Sequence, residues 1–185
     1  MKPLNLDFEE NSKLVASGNL KYKVVYFSMH FGGTNSRGIL TYAGVNWTSV
    51  YPNWGTDKSN MPFEVVPALT VIHPDGKELV LAENVAIGIF LAKQFGLHGQ
   101  NTWEEALINS FYSNSNTMIQ ESHLEKNHLN GHYVGNRTTL ADIRITTLLD
   151  PTEKILGKER IATVINETKT PGIIKVRKIV ESKPS

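Results

Sequence analysis

The pattern of this chain changes once, and that change limits what it can fold into. Up to about residue 98, β-branched and aromatic runs alternate with apolar faces at helical spacing; from Trp103 onward only the helical spacing remains. Alternation predicts an α/β unit and its loss an all-α unit, so the expected class is two-part. Lys21 to Phe27 (KYKVVYF) reads as a strand, followed by the Gly-rich loop SMHFGGTNS and a helix in RGILTYAGV. Ser36 stands where an N-cap would, Ile39, Leu40 and Ala43 form the apolar face, and Gly44 sits where a helix ends. WTSVYP (47 to 52) is a second strand, and NWGTDKSNMPFE an irregular connection. Val65 to Ile72 then forms one arm of a hairpin turning at His73-Pro74-Asp75-Gly76. Asn84 is placed to cap a helix over VAIGIFLAKQFG that Gly96 ends, giving the order β, α, β, then β, β, α.

Composition narrows the partners. With 185 residues, 40% hydrophobic and 20% charged, the chain can bury one sizeable core or two small ones. A net charge of +1 without a Lys/Arg run predicts no nucleic-acid partner, and no apolar stretch approaches the ~20 residues of a membrane span. The opening residues lack the hydrophobic core of a secretory signal, so a cytoplasmic location is expected. Without cysteine there is neither a disulfide nor a thiol nucleophile in the chain. His123 and His128 are five apart, off the spacing that shares a helix face, and no metal site is expected. Gly32-Gly33 lacks the GxxxxGK[ST] frame of a phosphate loop. In the helical part Trp103, Leu107, Ile108, Phe111 and Met118 recur at helix spacing, with Trp103, Phe111 and Met118 expected in the core. Thr139 and Asp142 are three apart, as in a capping box.

Pro67 interrupts the hairpin arm at its mouth, where it offers no N–H to a ladder. Taken as a dipeptide, Val66-Pro67 reads as an ordinary trans bond at a sheet edge, since only ~5–6% of such bonds are cis. The order of elements favours another reading: it is the thioredoxin-type arrangement, in which a cis proline opening the third strand turns the preceding residue's backbone toward a ligand.

The motifs around it resemble those of the cytosolic glutathione transferases, most nearly the sigma-like, tyrosine-type classes. Tyr26-Phe27 ends the first strand; YAGV (42 to 45), Trp54, Lys58 and Pro62 to Pro67 follow in the family's order and spacing; ENVAI (83 to 87) and KQFGL (93 to 97) bound the next helix. WEEAL, GHYVGNRTTLADI and TPGIIKVRKIVESKP are similar to segments of the family's helical domain. The resemblance implies an α/β thioredoxin-like N-terminal domain over 21–98, a shortened all-α domain over 99–185, and an N-terminal extension, 1–20. It also implies glutathione as co-substrate, a small electrophile as second substrate, a role in detoxification and a homodimer. Tyr26 would be catalytic, stabilising the thiolate. Glutathione would be held by Tyr26, Phe27, Trp54, Lys58, Val66, Pro67, Glu83 and Asn84. Of these, Trp54 and Lys58 would serve the glycyl carboxylate, Val66 the cysteinyl backbone, Glu83 the γ-glutamyl ammonium and Asn84 the γ-glutamyl carboxylate. The chain departs from the family's pattern at three places: Asn84 replaces a serine, Asn109 an aspartate that reaches across the dimer, and Gly32-Gly33 a basic segment. The helical hairpin that supplies much of the electrophile pocket is expected to be shortened between Met118 and His123. Those differences leave a non-catalytic binding or protein-interaction module as the alternative function.

Overall fold

The computed structural model describes residues 8–29, 31–114 and 130–183. Met118, His123 and His128 therefore lie outside the described residues. The chain divides into two compact units, Met1–Gly88 and Ile89–Ser185.

The first unit holds a four-stranded sheet of order β2-β1-β3-β4, made of β1 (Lys21–Val25), β2 (Trp47–Val50), β3 (Ala68–Ile72) and β4 (Glu78–Ala82). β1 and β2 are parallel, so the chain needs a crossover, which α2 (Thr34–Ala43) supplies; β3 pairs antiparallel with both β1 and β4. This is the thioredoxin-like arrangement. Position in the sheet sets burial: the inner strand β3 buries Ala68, Leu69, Thr70 and Val71 in succession, while Val50 at the β2 edge is 38% exposed. Tyr22, Val24, Ile39, Leu40, Leu69 and Val71 form the core of this unit. A helix, α1 (Phe8–Ala16), precedes β1, and Lys77 in the β3–β4 turn reaches Glu10 on it at 2.6 Å. The sequence reading left these residues as an extension without an element.

Two expected caps lie elsewhere. α2 begins at Thr34 with Gly33 at the N-cap, which places Ser36 fully buried inside the first turn. Gly44 closes the same helix in the left-handed conformation at φ 66°, as expected. α4 (Asn84–Gln94) starts with Asn84 as its first helical residue; the Glu83 carbonyl accepts the Ile87 N–H at 2.9 Å, so Glu83 holds the N-cap position. The unit boundary falls inside α4.

The second unit is helical among the described residues, with α5 (Thr102–Asn114), α6 (Leu140–Leu156), α7 (Lys158–Ala162) and α8 (Pro171–Glu181). The capping box forms at the start of α6: Asp142 Oδ2 accepts the Thr139 N–H at 2.7 Å and the Thr139 hydroxyl at 3.0 Å. Its other oxygen accepts the Tyr133 N–H at 2.8 Å. Burial raises the carboxyl of Asp142, which is wholly buried, against these three stabilising donors. Trp103 is not a core residue; it is 73% exposed. Ile108 and Tyr112 define the buried face of α5, and at 100° per residue Trp103 points about 140° and 180° away from them. Among the described residues, no helix is long and apolar enough to cross a membrane.

Candidate active site

One row of the sheet register organises the candidate residues. Val25 stands opposite Val50 on one side and Ala68 on the other, and Ala68 stands opposite Ala82. One residue past this row the chain places Tyr26 after β1, Pro67 before β3 and Glu83 after β4. Residues scattered over nearly sixty sequence positions thus reach one end of one sheet. The ladder continues one step into the site, since Tyr26 N–H donates to the Val50 carbonyl at 3.1 Å.

Tyr26 is buried to 8% exposure, and its hydroxyl oxygen accepts the Gly32 N–H at 3.1 Å. Phe27 lies against it with ring centroids 5.5 Å apart, and Trp54 meets Phe27 edge-on at 5.5 Å. Trp54 opens a short helix, α3 (Trp54–Asp57), whose cap is Asn53 accepting the Gly55 N–H at 3.3 Å. The Val66–Pro67 bond is cis, as the thioredoxin-type reading expects, with Pro67 buried and Val66 half-buried. A Cβ built on Gly32 would lie 3.3 Å from Pro67 Cδ and 3.4 Å from the Tyr26 hydroxyl oxygen, so Gly32 sits at the corner between them.

Tyr26, Phe27 and Trp54 are thereby linked through ring contacts, and Gly32 stands between Tyr26 and Pro67. Lys58 stands at the end of α3, exposed, its ammonium without a hydrogen bond or ion pair to any described residue. Glu83 is exposed at φ 74°, a left-handed conformation unusual outside glycine. Asn84 is half-buried at the start of α4, where a helix leaves its first N–H groups without intrahelical acceptors. Asn109 belongs to the second unit, its Oδ1 3.1 Å from Nε2 of the buried His98. Among the described residues no group of three or more metal-ligating side chains gathers.

Sequence reading missed two features of this corner. Arg37, in the first turns of α2, donates through Nη2 to the carbonyls of Tyr26 at 3.3 Å and Phe27 at 3.0 Å, and through Nη1 to that of Met29 at 3.5 Å. Its guanidinium carbon also lies 5.8 Å from the ring centroids of both Tyr26 and Tyr51. The second feature is the glycine pair. A Cβ on Gly33 would stand 2.6 Å from Tyr26 Cγ and 2.7 Å from its Cβ and Cδ1, closer than packed atoms come. The adjacency of two glycines was visible in the sequence, but what they pack against was not.

Known proteins resemble the chain in sequence over about half its length and in fold over most of it. Over 92 residues the chain is 42% identical to the probable glutathione S-transferase 7 of Caenorhabditis elegans, a match covering 48% of this chain and 42% of that protein. Over its N-terminal half, the chain is similar to glutathione S-transferases. The chain spans less than half the length of the curated relatives it matches. Solved structures extend the likeness in fold to most of the chain. The sigma class transferase of Fasciola hepatica superposes at a TM-score of 0.72 with 24% identity, covering 90% of this chain and 92% of its own. The glutathione S-transferase of Ascaris lumbricoides superposes at 0.63 with 26% identity, covering 89% and 98%. No protein-family model matches the chain.

Proposed function

We propose that this protein is a glutathione transferase that joins the glutathione thiolate to small electrophilic, often hydrophobic, substrates. The observation that carries the reading is the Tyr26 hydroxyl, held by the Gly32 N–H beside the cis Val66–Pro67 pair at the end of the sheet. A free thiol of pKa ~8.5 is mostly protonated at pH 7, while the thiolate is the nucleophile. A hydrogen bond to a charged group contributes about 1.5–3 kcal/mol. At ~1.36 kcal/mol per unit, that lowers the thiol by about one to two units, enough to populate the thiolate.

The tripeptide's charges set the other assignments. In this reading Trp54 Nε1 and Lys58 receive the glycyl carboxylate; the unpartnered ammonium of Lys58 supports that role. Val66 offers its N–H and C=O to the cysteinyl unit in the manner of an added strand, with Pro67 setting its direction and Phe27 packing beside it. Glu83 takes the γ-glutamyl ammonium, and Asn84, with the N-terminus of α4, takes the γ-glutamyl carboxylate. Residues 21–98 are the glutathione-binding domain, 99–185 its helical companion, and the assembly is a homodimer. The family relationship supports a cytoplasmic detoxifying role that needs no metal.

An assay with a chloro-nitroaromatic acceptor tests the proposal directly. Wild type is expected to conjugate it, and Tyr26→Phe to keep its glutathione affinity while turnover falls about tenfold or more for each ~1.36 kcal/mol removed. If both proteins bind glutathione and neither conjugates, Tyr26 is a strand residue and the protein a non-catalytic binder.

A further inference from the structure

We propose that the backbone N–H of Gly32 is a positioning group for Tyr26, fixing the hydroxyl so that its hydrogen is presented to the glutathione sulfur. The inference rests on the reading of Tyr26 as the thiol activator and adds what orients it. A phenolic hydroxyl has one hydrogen to donate and lone pairs to accept with, whereas an amide N–H can only donate. The 3.1 Å bond from Gly32 therefore uses the acceptor side of the Tyr26 oxygen. Among the described residues nothing accepts the hydroxyl hydrogen, so it is free for the sulfur.

The loop is built for this contact. FGGTNS, residues 31 to 36, contains neither lysine nor arginine, and Arg37 directs its Nη donors to the carbonyls of Tyr26, Phe27 and Met29, so the donor on the Tyr26 hydroxyl is main chain. Main chain reaches the ring because both residues lack a Cβ: on Gly33 it would stand 2.6 Å from Tyr26 Cγ, and on Gly32 it would crowd Pro67 Cδ at 3.3 Å. The bond also acts in the step itself. As the hydroxyl donates to a thiolate its oxygen gains negative charge, and a donor already fixed on that oxygen strengthens the second bond. A fixed rotor has less freedom to lose when the ligand arrives.

The test replaces one atom. Gly32→glycolic acid, introduced into the full chain by nonsense suppression, converts the amide to an ester and deletes the N–H without adding bulk. The readouts are the ultraviolet thiolate band of bound glutathione against pH and glutathione affinity by calorimetry, each in the wild-type and Tyr26→Phe backgrounds. With Tyr26 present, the band's midpoint is expected to rise by about half to one pH unit, the worth of one neutral hydrogen bond, with affinity nearly unchanged. In Tyr26→Phe the ester should cause no further rise. An unmoved midpoint overturns the inference, and so does an equal rise in both backgrounds, because the amide would then not act through the hydroxyl. Should the ester chain fail to fold, hydrogen exchange at the Gly32 amide decides: faster exchange in Tyr26→Phe than in wild type supports the bond, and equal rates overturn it. A wild type with no thiolate band at pH 7 overturns the activator reading itself, a result separate from any loop substitution.

Discussion

Arg37 ties the end of β1 to the start of α2 by reaching carbonyl groups of three residues, a task for a planar fork of donors. A lysine at this position could serve one of those carbonyls but not all three, and its compact ammonium would not lie flat over both tyrosine rings. Arg37→Lys is expected to lower stability by about 1–3 kcal/mol, the cost of leaving part-buried carbonyls unmet. Urea unfolding measures this, and an unchanged midpoint would make the carbonyl bonds incidental. The role was not legible in the sequence because its partners are backbone oxygens, which every residue carries. Tyr26, Trp54 and Pro67 differ in kind: they are chemically distinctive side chains at fixed intervals, so they could be singled out as candidates from spacing alone.

At the scale of elements, the capping box of α6 stands out because its carboxylate is wholly buried yet accepts three donors. Asp142→Asn puts an NH2 group where one of those oxygens accepts, so a loss of about 1–3 kcal/mol is expected. The pH dependence has a definite sign. Burial raises the folded-state carboxyl above its unfolded value, so the folded chain holds the proton more tightly. The stability this titration adds is complete below the unfolded value and disappears as pH rises through the raised folded value. Wild type should therefore lose stability across that window and Asp142→Asn should lack that component. Parallel slopes in denaturant titrations of the two proteins would contradict the assignment. Box, strands and hairpin were legible because local chemistry and period-2 or period-3.6 patterning set them. The start of α2 was not: Ser36 has capping chemistry, but the chain enters the helix at the glycine pair and buries the serine. Trp103 misled for a related reason, since large apolar area marks a core residue only when helical phase agrees.

The whole molecule poses the question of assembly, and the first unit carries a feature that bears on it. Phe63 is 54% exposed although aromatic, and both it and Glu64 sit at φ 54°, in the left-handed region. Outside glycine such conformations cost on the order of 1–3 kcal/mol each and persist where the surroundings or a function hold them. Tyr51, 62% exposed, adds a second aromatic surface in the same unit. A chain that turns an aromatic ring outward on a strained backbone forgoes its burial unless a partner covers it. In the homodimer reading that partner is a second copy. Sedimentation at micromolar concentration is then expected to give twice the 20.6 kDa chain mass. Buried aromatics concentrate binding energy, with truncations costing about 2 kcal/mol or more. Phe63→Ser is accordingly expected to raise the dimer dissociation constant about thirtyfold or more while circular dichroism stays unchanged, since the substituted ring lies outside the core. A wild type that sediments as a monomer at every concentration ends the homodimer reading. A dimer that ignores Phe63→Ser moves the interface elsewhere and leaves the exposed ring without that explanation.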